Sequence, residues 1–292
     1  MADPPSRVFF PSNFQELFST WNSLGDAALS AGGNEHIRNQ GGRIPVLPRN
    51  VISLDKIGEL RKISRTERYL EIGSMVKLNQ IINLGKIVPE VLIRCLEHIA
   101  GPQLRCQATI GGNICNTRRL DTSAAMMALD AQFELRSAQS SRWISASRFF
   151  SIPNAPSHEL LTRIRIPLEP WTLTWYRKFN TSGGNKPGGV ILCILRNQKD
   201  ILTDIRVVYS DEAVLREKNS ESMLAGKRLP LDRRDAEAFV DGWESYLSAM
   251  EIAEKENVEK TVFPEKNDAY RQELTKAQIL RFIEAALSHI SD

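Results

Sequence analysis

The chain has few cysteines and histidines, and their spacing is not that of a metal site. Its 292 residues include four cysteines and four histidines. No two cysteines form the Cys-x-x-Cys pair that is typical of zinc and iron–sulfur sites. We therefore expect no metal centre in this chain. Cys115 follows a glycine pair, and we expect it to be an ordinary buried thiol rather than a reactive one.

The chain also has no long apolar run and little net charge. No segment of about twenty apolar residues is present, so no membrane span is expected. The first residues show no basic segment followed by an apolar core, so no secretory signal is expected and the cytoplasm is the default location. A net charge of +3 without a basic stripe argues against nucleic-acid binding. The sequence contains no recognisable Ser, His and Asp motif of the kind that would indicate a hydrolase.

Two Gly-Gly-Asn segments, each following a short apolar run, are the most informative feature. They are Gly32 to Asn34 and Gly111 to Asn113. We expect a strand to end at the second segment in a tight loop that exposes backbone N–H groups to a ligand. A third copy, Gly183 to Asn185, shows that the pattern alone is ordinary turn chemistry. Two such loops together suggest an extended ligand that carries a diphosphate.

The context of these segments resembles the flavoprotein subunit of the molybdenum hydroxylases, of the xanthine dehydrogenase and carbon monoxide dehydrogenase type. The order and spacing of several motifs match that subunit, and the resemblance is strongest over residues 27–167. The matching pieces are Ala31 to Gly33, Val51 to Leu54, Leu70 to Ser74, Ala100 to Arg105, Thr109 to Ile114, Ala128 to Ala131 and Glu159 to Pro167.

The resemblance implies FAD as cofactor, with its diphosphate on the two glycine segments and its ring toward Leu161. It implies no catalytic side chain and no metal ligand, because the redox chemistry belongs to the flavin. The residues that it assigns to FAD are Ala31, Gly32, Gly33, Asn34, Glu35, His36, Thr109, Ile110, Gly111, Gly112, Asn113, Asp121 and Leu161.

Three of these positions depart from the family pattern, and a fourth allows a second role. Family members commonly follow Ala-Gly-Gly with Thr-Asp-Leu or His-Ser-Leu, whereas Asn34, Glu35 and His36 stand here. Asn34 can still donate a hydrogen bond, and His36 could add positive charge, but Glu35 must turn away from a phosphate. Asp121 is the nearest match to a family Asp that helps to place the cofactor, and an N-cap of the following helix is an equally good interpretation.

The pattern predicts an α+β fold in two domains. Residues 1–167 would form the FAD-binding domain, with a small parallel β-α-β part over about 1–54 and a mixed or antiparallel sheet with helices over 55–167. Residues 171–292 would form a smaller C-terminal domain with a three-stranded antiparallel sheet and helices. Helical patterns are predicted at 14–21, 77–84, 88–99, 123–129, 211–224, 232–249 and 269–287.

The resemblance implies a subunit of a complex. Its partners would be a molybdopterin-binding large subunit and a 2Fe-2S small subunit, and electrons would pass from iron–sulfur centres through FAD to NAD or another acceptor. A flavin-deficient paralogue that serves as a structural or assembly partner is the alternative, suggested by Asn34, Glu35 and His36 and by residues 182–187. A free-standing flavoprotein oxidoreductase is a third reading, and the lack of a substrate-facing acid–base pair weighs against it.

Overall fold

A computed structural model describes residues 6–34, 47–116, 121–151, 158–180, 187–211, 213–258, 276–277, 279–281 and 283–288. Glu35, His36 and the third Gly-Gly-Asn copy lie outside the described residues. The chain divides into two compact units, Met1–Glu169 and Pro170–Asp292, which we call the N-terminal unit and the C-terminal unit. Helices occur with both parallel and antiparallel sheets, which confirms the α+β class.

The N-terminal unit opens with the predicted parallel β-α-β arrangement. Its three strands have the order β1-β3-β2 and are all parallel: β1 Arg7–Phe9, β2 Ala28–Ser30 and β3 Asn50–Ser53. Helix α1, Phe14–Leu24, connects β1 to β2 and buries Phe14, Leu17 and Phe18 against Ile52. The side chain of Asn13 accepts a hydrogen bond from the N–H of Glu16 at 2.9 Å, which confirms the predicted N-cap. Strand β2 ends directly before the first glycine segment.

A five-stranded antiparallel sheet follows in the same unit, with the order β4-β5-β8-β6-β7. Its buried face includes Ile72, Phe133, Ile164 and Ile166. The predicted hairpin of β6 and β7 is confirmed by their antiparallel pairing. The strands are β4 Ile63–Arg65, β5 Tyr69–Gly73, β6 Gln132–Arg136, β7 Ser141–Ser145 and β8 Leu160–Pro167.

Short helices connect these strands. They are α2 Leu78–Ile82, α3 Glu90–Glu97, α4 Pro102–Gln107, α5 Ile110–Ile114, α6 Asp121–Ala128 and α7 Ala146–Ser151, with 3-10 turns at Gly58–Arg61 and Gly85–Ile87. The prediction that a strand ends at Gly111 is wrong, because α4 and α5 occupy that stretch. Pro102 stands at the start of α4 and the Thr109 side chain caps α5, and these helix-start signals outweigh a short apolar run.

The C-terminal unit contains a four-stranded antiparallel sheet, not three strands, in the order β12-β11-β10-β9. The fourth strand pairs Leu215 with Tyr209 and begins inside the stretch 211–224, which the sequence pattern predicts to be helical. Within the described residues of that stretch, the helix is limited to α8. The helices α8 and α9 pack on one face of this sheet, and residues near 279–287 add to the core. The elements are β9 Leu173–Asn180, β10 Pro187–Gln198, β11 Ile201–Ser210, β12 Val214–Leu215, α8 Lys218–Leu224 and α9 Arg233–Val258.

None of the helices in the described part of the chain combines the length and apolar character that a membrane crossing requires.

Candidate functional site

The two glycine segments, residues 31–34 and 109–113, lie against each other. A Cβ atom placed on Gly32 would stand 2.5 Å from the carbonyl oxygen of Gln107, at the end of α4. A Cβ atom placed on Gly112 would stand 3.6 Å from the Cβ of Ala31. The side chain of Asn34 reaches the carbonyl oxygen of Leu104 at 3.5 Å. Segments that are distant in sequence therefore form one site.

The first segment offers backbone donors. Gly33 has a φ of 75°, a conformation that favours glycine, so the chain turns sharply here. Within the described residues, the structure records no acceptor for the N–H groups of Gly32 and Gly33. Adjacent N–H groups in such a turn form a concave binding site for anions. This geometry fits the diphosphate of a dinucleotide.

The second segment is built differently. Thr109 caps α5, because its Oγ1 accepts from the N–H of Gly112 at 3.2 Å and its carbonyl accepts from the N–H of Asn113 at 3.0 Å. The N–H of Ile110 donates to the carbonyl of Val76 at 3.0 Å. These donors are satisfied within the protein. The expectation that this segment exposes them to a ligand is therefore wrong.

Gly111 is required by close packing. Its N–H donates to the carbonyl oxygen of Ser74 at 2.8 Å, and a Cβ on Gly111 would lie 2.6 Å from the Cβ of Ser74. Only a residue without a side chain permits this approach. The hydroxyl of Ser74 is buried and has no hydrogen-bond partner among the described residues, so an unpaired polar group lies beside the second segment.

Ser74 also connects the second glycine segment to strand β8. The N–H of Ser74 donates to the carbonyl of Thr162 at 2.9 Å, next to Leu161. The Leu161 side chain is buried, and Leu161 pairs with Leu135 of β6. The backbone beside Leu161 is thus joined through Ser74 to Gly111.

Asp121 is the first residue of α6 and is buried. The four residues before it lie outside the described part of the chain, so its role as an N-cap stays a prediction. Its role toward a cofactor remains a prediction.

Arg105 orients α4, the helix that leads to the second segment. Its Nη1 donates to the carbonyls of Glu97, Ile99 and Ala100 at 2.9, 3.1 and 2.7 Å, at the C-terminal end of α3. A cation at the C-terminal end of a helix satisfies carbonyls that lack intrahelical partners. Arg105 thereby holds α4 while the residues of that helix stay at least partly exposed.

Lys77 is a residue of the site that the sequence motifs do not identify. Its Nζ donates to the carbonyl oxygen of Gln107 at 2.9 Å, and its backbone forms an antiparallel bridge with Thr109. The available signal was its position, because Lys77 stands at the N-cap of α2, where Ser, Thr, Asn or Asp is usual.

Cys115 is exposed at the C-cap of α5, so the expectation of a buried thiol is wrong. The helix turns Gly111 and Ile114 inward, which leaves the next position at the surface.

His98 contacts the carbonyl of Arg94 at 2.8 Å through Nδ1. Among the described residues, no group of three His, Cys, Asp or Glu side chains could hold a metal ion.

A parallel β-α-β part, an antiparallel sheet and two joined glycine segments define an α+β protein that binds a dinucleotide cofactor. Residues 4–169 match the family model described as the FAD binding domain in molybdopterin dehydrogenase. The chain belongs to this family, the FAD-binding flavoprotein subunits of the molybdenum hydroxylases. Its cofactor is FAD, and it is an oxidoreductase subunit.

Individual relatives agree with this assignment. The chain is similar to the carbon monoxide dehydrogenase medium chain of Hydrogenophaga pseudoflava, with 27% identity over 237 residues that cover 78% of this chain and 82% of that one. It is 24% identical over 247 residues to the nicotine 6-hydroxylase medium subunit of Paenarthrobacter nicotinovorans, covering 81% and 86% of the two chains.

Solved structures show the same fold. A chain of carbon monoxide dehydrogenase from Hydrogenophaga pseudoflava has a TM-score of 0.78 and 23% identity, covering 99% of this chain and 98% of that one. A chain of quinoline 2-oxidoreductase from Pseudomonas putida 86 has a TM-score of 0.75 and 21% identity, with both chains covered completely. At these identities the similarity shows the fold alone.

Proposed function

We propose that the chain is the electron-transfer flavoprotein of a molybdenum hydroxylase complex, with a molybdopterin-binding large subunit and a 2Fe-2S small subunit as partners. Electrons would pass from the iron–sulfur centres through FAD to NAD or another acceptor. The names of the relatives support the proposal, because they are a medium chain and a medium subunit of oxidoreductases. The same proposal includes the assignment of residues 171–292 to the family's C-terminal domain.

The observation that carries this function is the junction of the two glycine segments. Gly32 packs against the backbone of Gln107, and the neighbouring N–H groups of Gly32 and Gly33, for which no acceptor is recorded among the described residues, would bind an anion. The second segment would contribute the exposed surface of Gly112 and the half-buried side chain of Asn113 rather than backbone donors.

The protein would bind, orient and tune the cofactor. FAD, when bound, supplies a centre that exchanges electrons one or two at a time. The N–H groups of Gly32 and Gly33 would hold its diphosphate, and the backbone beside Leu161 would orient its ring. Asn34 and Asp121 would complete the set, and Glu35 and His36 remain predicted contacts outside the described residues. No side chain is assigned as a catalytic acid or base.

The first test is the visible absorption spectrum of the purified chain, followed by release of the chromophore by heat and its identification by mass. We expect flavin bands and released FAD. Free FAD at about 100 times its Kd should also stabilise the chain by about 2.7 kcal/mol in thermal unfolding. A chain that stays colourless after incubation with FAD would contradict the assignment and favour a flavin-deficient assembly partner.

The partners and the acceptor need a second experiment. Purification of the tagged chain from cells that also express candidate large and small subunits should recover both. The reduced complex should then convert NAD to NADH if NAD is the acceptor, which is followed by the near-ultraviolet absorbance of NADH. A chain that stays alone and oxidises a small substrate unaided would instead be a free-standing flavoprotein.

A further inference from the structure

Lys77 lies where the two glycine segments are joined. Its Nζ donates to the carbonyl oxygen of Gln107 at 2.9 Å. The same oxygen would lie 2.5 Å from a Cβ on Gly32, so the ammonium and the first segment meet at one atom. The backbone of Lys77 also bridges to Thr109, the first residue of the second segment. Lys77 therefore bonds to the carbonyl against which the first segment packs, and its backbone bridges to the second segment.

The ammonium of Lys77 has N–H donors for which no acceptor is recorded among the described residues. An ammonium carries three N–H donors, and only the bond to Gln107 is recorded for Nζ among the described residues. Asp55 is the acidic group that acts on Lys77, and its carboxylate is paired with Arg61. The charge of Lys77 thus has no bonded carboxylate within the described part of the chain.

This position is costly for a cation. Burial lowers the pKa of Lys77 because the ammonium loses hydration, nearby Arg61 lowers it further, and Asp55 raises it. Lysine also has no acceptor atom with which to cap α2, so the helix forgoes a side-chain cap at this residue. A half-buried cation in such a place is stabilised when an anion arrives.

We propose that Lys77 is a further FAD-binding residue, whose ammonium neutralises the diphosphate held at the N–H groups of Gly32 and Gly33. The inference rests on the proposed placement of the diphosphate at the glycine segments. It also accounts for a departure in the first segment, because Lys77 supplies positive charge to a loop whose sequence includes Glu35.

The test compares the full chain with Lys77→Met and Lys77→Arg. The Kd for FAD is measured by quenching of flavin fluorescence at low and at high salt. We expect Lys77→Met to raise the Kd about tenfold or more at low salt, because a charge-assisted contact is lost. Lys77→Arg keeps the charge and should stay within about threefold of wild type. The exposed Lys86 is the matched control, and Lys86→Met should leave the Kd unchanged.

The salt dependence separates an electrostatic role from a purely structural one. Exposed charge interactions weaken as salt rises, so the dependence of Kd on salt should be shallower in Lys77→Met than in wild type. An unchanged salt dependence with a raised Kd would mean that Lys77 only ties Gln107 in place, and would overturn the proposal. Should Lys77→Met not fold, Lys77→Gln removes the charge with a polar donor retained, and the same loss is expected.

The outcomes also separate this inference from the proposed function. Wild-type protein that binds FAD, together with a Lys77→Met variant that binds it equally well, would overturn the role of Lys77 alone. Wild-type protein that does not bind FAD would overturn both.

Discussion

Three glycines of the site serve different purposes, which the repeated motif hides. Gly33 permits a positive φ, Gly32 permits contact with the backbone of Gln107, and Gly111 permits contact with Ser74. The sequence showed that glycines were needed at both segments. It could not show which glycine meets which neighbour, because the neighbours come from other parts of the chain.

Gly32→Ala should weaken FAD binding. The new Cβ would stand 2.5 Å from a backbone carbonyl oxygen, so the two segments must separate. Such overpacking costs about 1–3 kcal/mol, which corresponds to an increase of about 5-fold to about 150-fold in Kd if the strain falls on the bound state. Fluorescence titration with FAD measures the change.

The control for this substitution is Gly58→Ala. A Cβ on Gly58 would meet no atom within 4 Å, and its φ is not positive. FAD binding should stay at the wild-type level in this variant. A Gly32→Ala protein that binds FAD as tightly as wild type would contradict the packing argument.

At the scale of elements, an ion-pair network connects the strands of the five-stranded sheet. Arg163 of β8 donates to both carboxylate oxygens of Glu134 on β6, each at 2.7 Å. Ser141 of β7 donates to the same carboxylate at 2.8 Å. Arg165 of β8 donates to Glu71 of β5 at 2.7 Å. Four strands are therefore held in register by side chains as well as by backbone bonds.

The network predicts a loss of stability in acid. Hydrogen bonds from Arg163 lower the pKa of Glu134 to about 2, against a raising effect of burial, and Thr162 and Ser141 add to the lowering. Because the folded pKa lies below the unfolded value of about 4.3, this contribution is fully present above pH ~4.3 and is lost as the pH falls toward 2. Urea unfolding at several pH values measures it.

Glu134→Gln is the variant that tests this contribution. It should be less stable than wild type at neutral pH, and the difference should shrink as the pH is lowered through this window. Glu59→Gln, a substitution at an exposed carboxylate, should follow the wild-type pH profile. A Glu134→Gln deficit that stays constant from neutral pH to pH 2 would contradict the assignment.

At the scale of the whole molecule, each unit has its own core. In the N-terminal unit, α1 covers the parallel sheet. In the C-terminal unit, Phe239 and Trp243 of α9 pack against the antiparallel sheet and are fully buried. The ring of Trp243 meets Tyr246 edge-on at 5.9 Å. Its indole N–H has no hydrogen-bond partner among the described residues.

Trp243→Ala should destabilise the C-terminal unit by about 3–5 kcal/mol, because it leaves a cavity in the core. Trp243→Phe keeps most of the ring and removes the unpaired N–H, so its effect should be much smaller. Scanning calorimetry of both variants checks the prediction. Equal destabilisation by the two substitutions would contradict the prediction.

The sequence by itself determined the α+β class, the β-α-β opening, the hairpin of β6 and β7, and the FAD-binding family. These depend on local signals, such as the Asn13 cap and the helical spacing of Phe14, Leu17 and Phe18, and on motifs that survive as short runs. Local periodicity did not reveal the helices around Gly111, since the short stretch Ala108 to Ile110 that precedes it suits either a strand or a helix.

The tertiary structure alone decided how the site is assembled. It joined Gly32 to Gln107, bonded the N–H of Gly111 to Ser74, and bonded the ammonium of Lys77 to the Gln107 carbonyl against which Gly32 packs. It also paired Glu134 with Arg163 across two strands. The physical reason is that close packing and ion pairing depend on distances between residues far apart in the chain, and no local pattern of residue types encodes those distances.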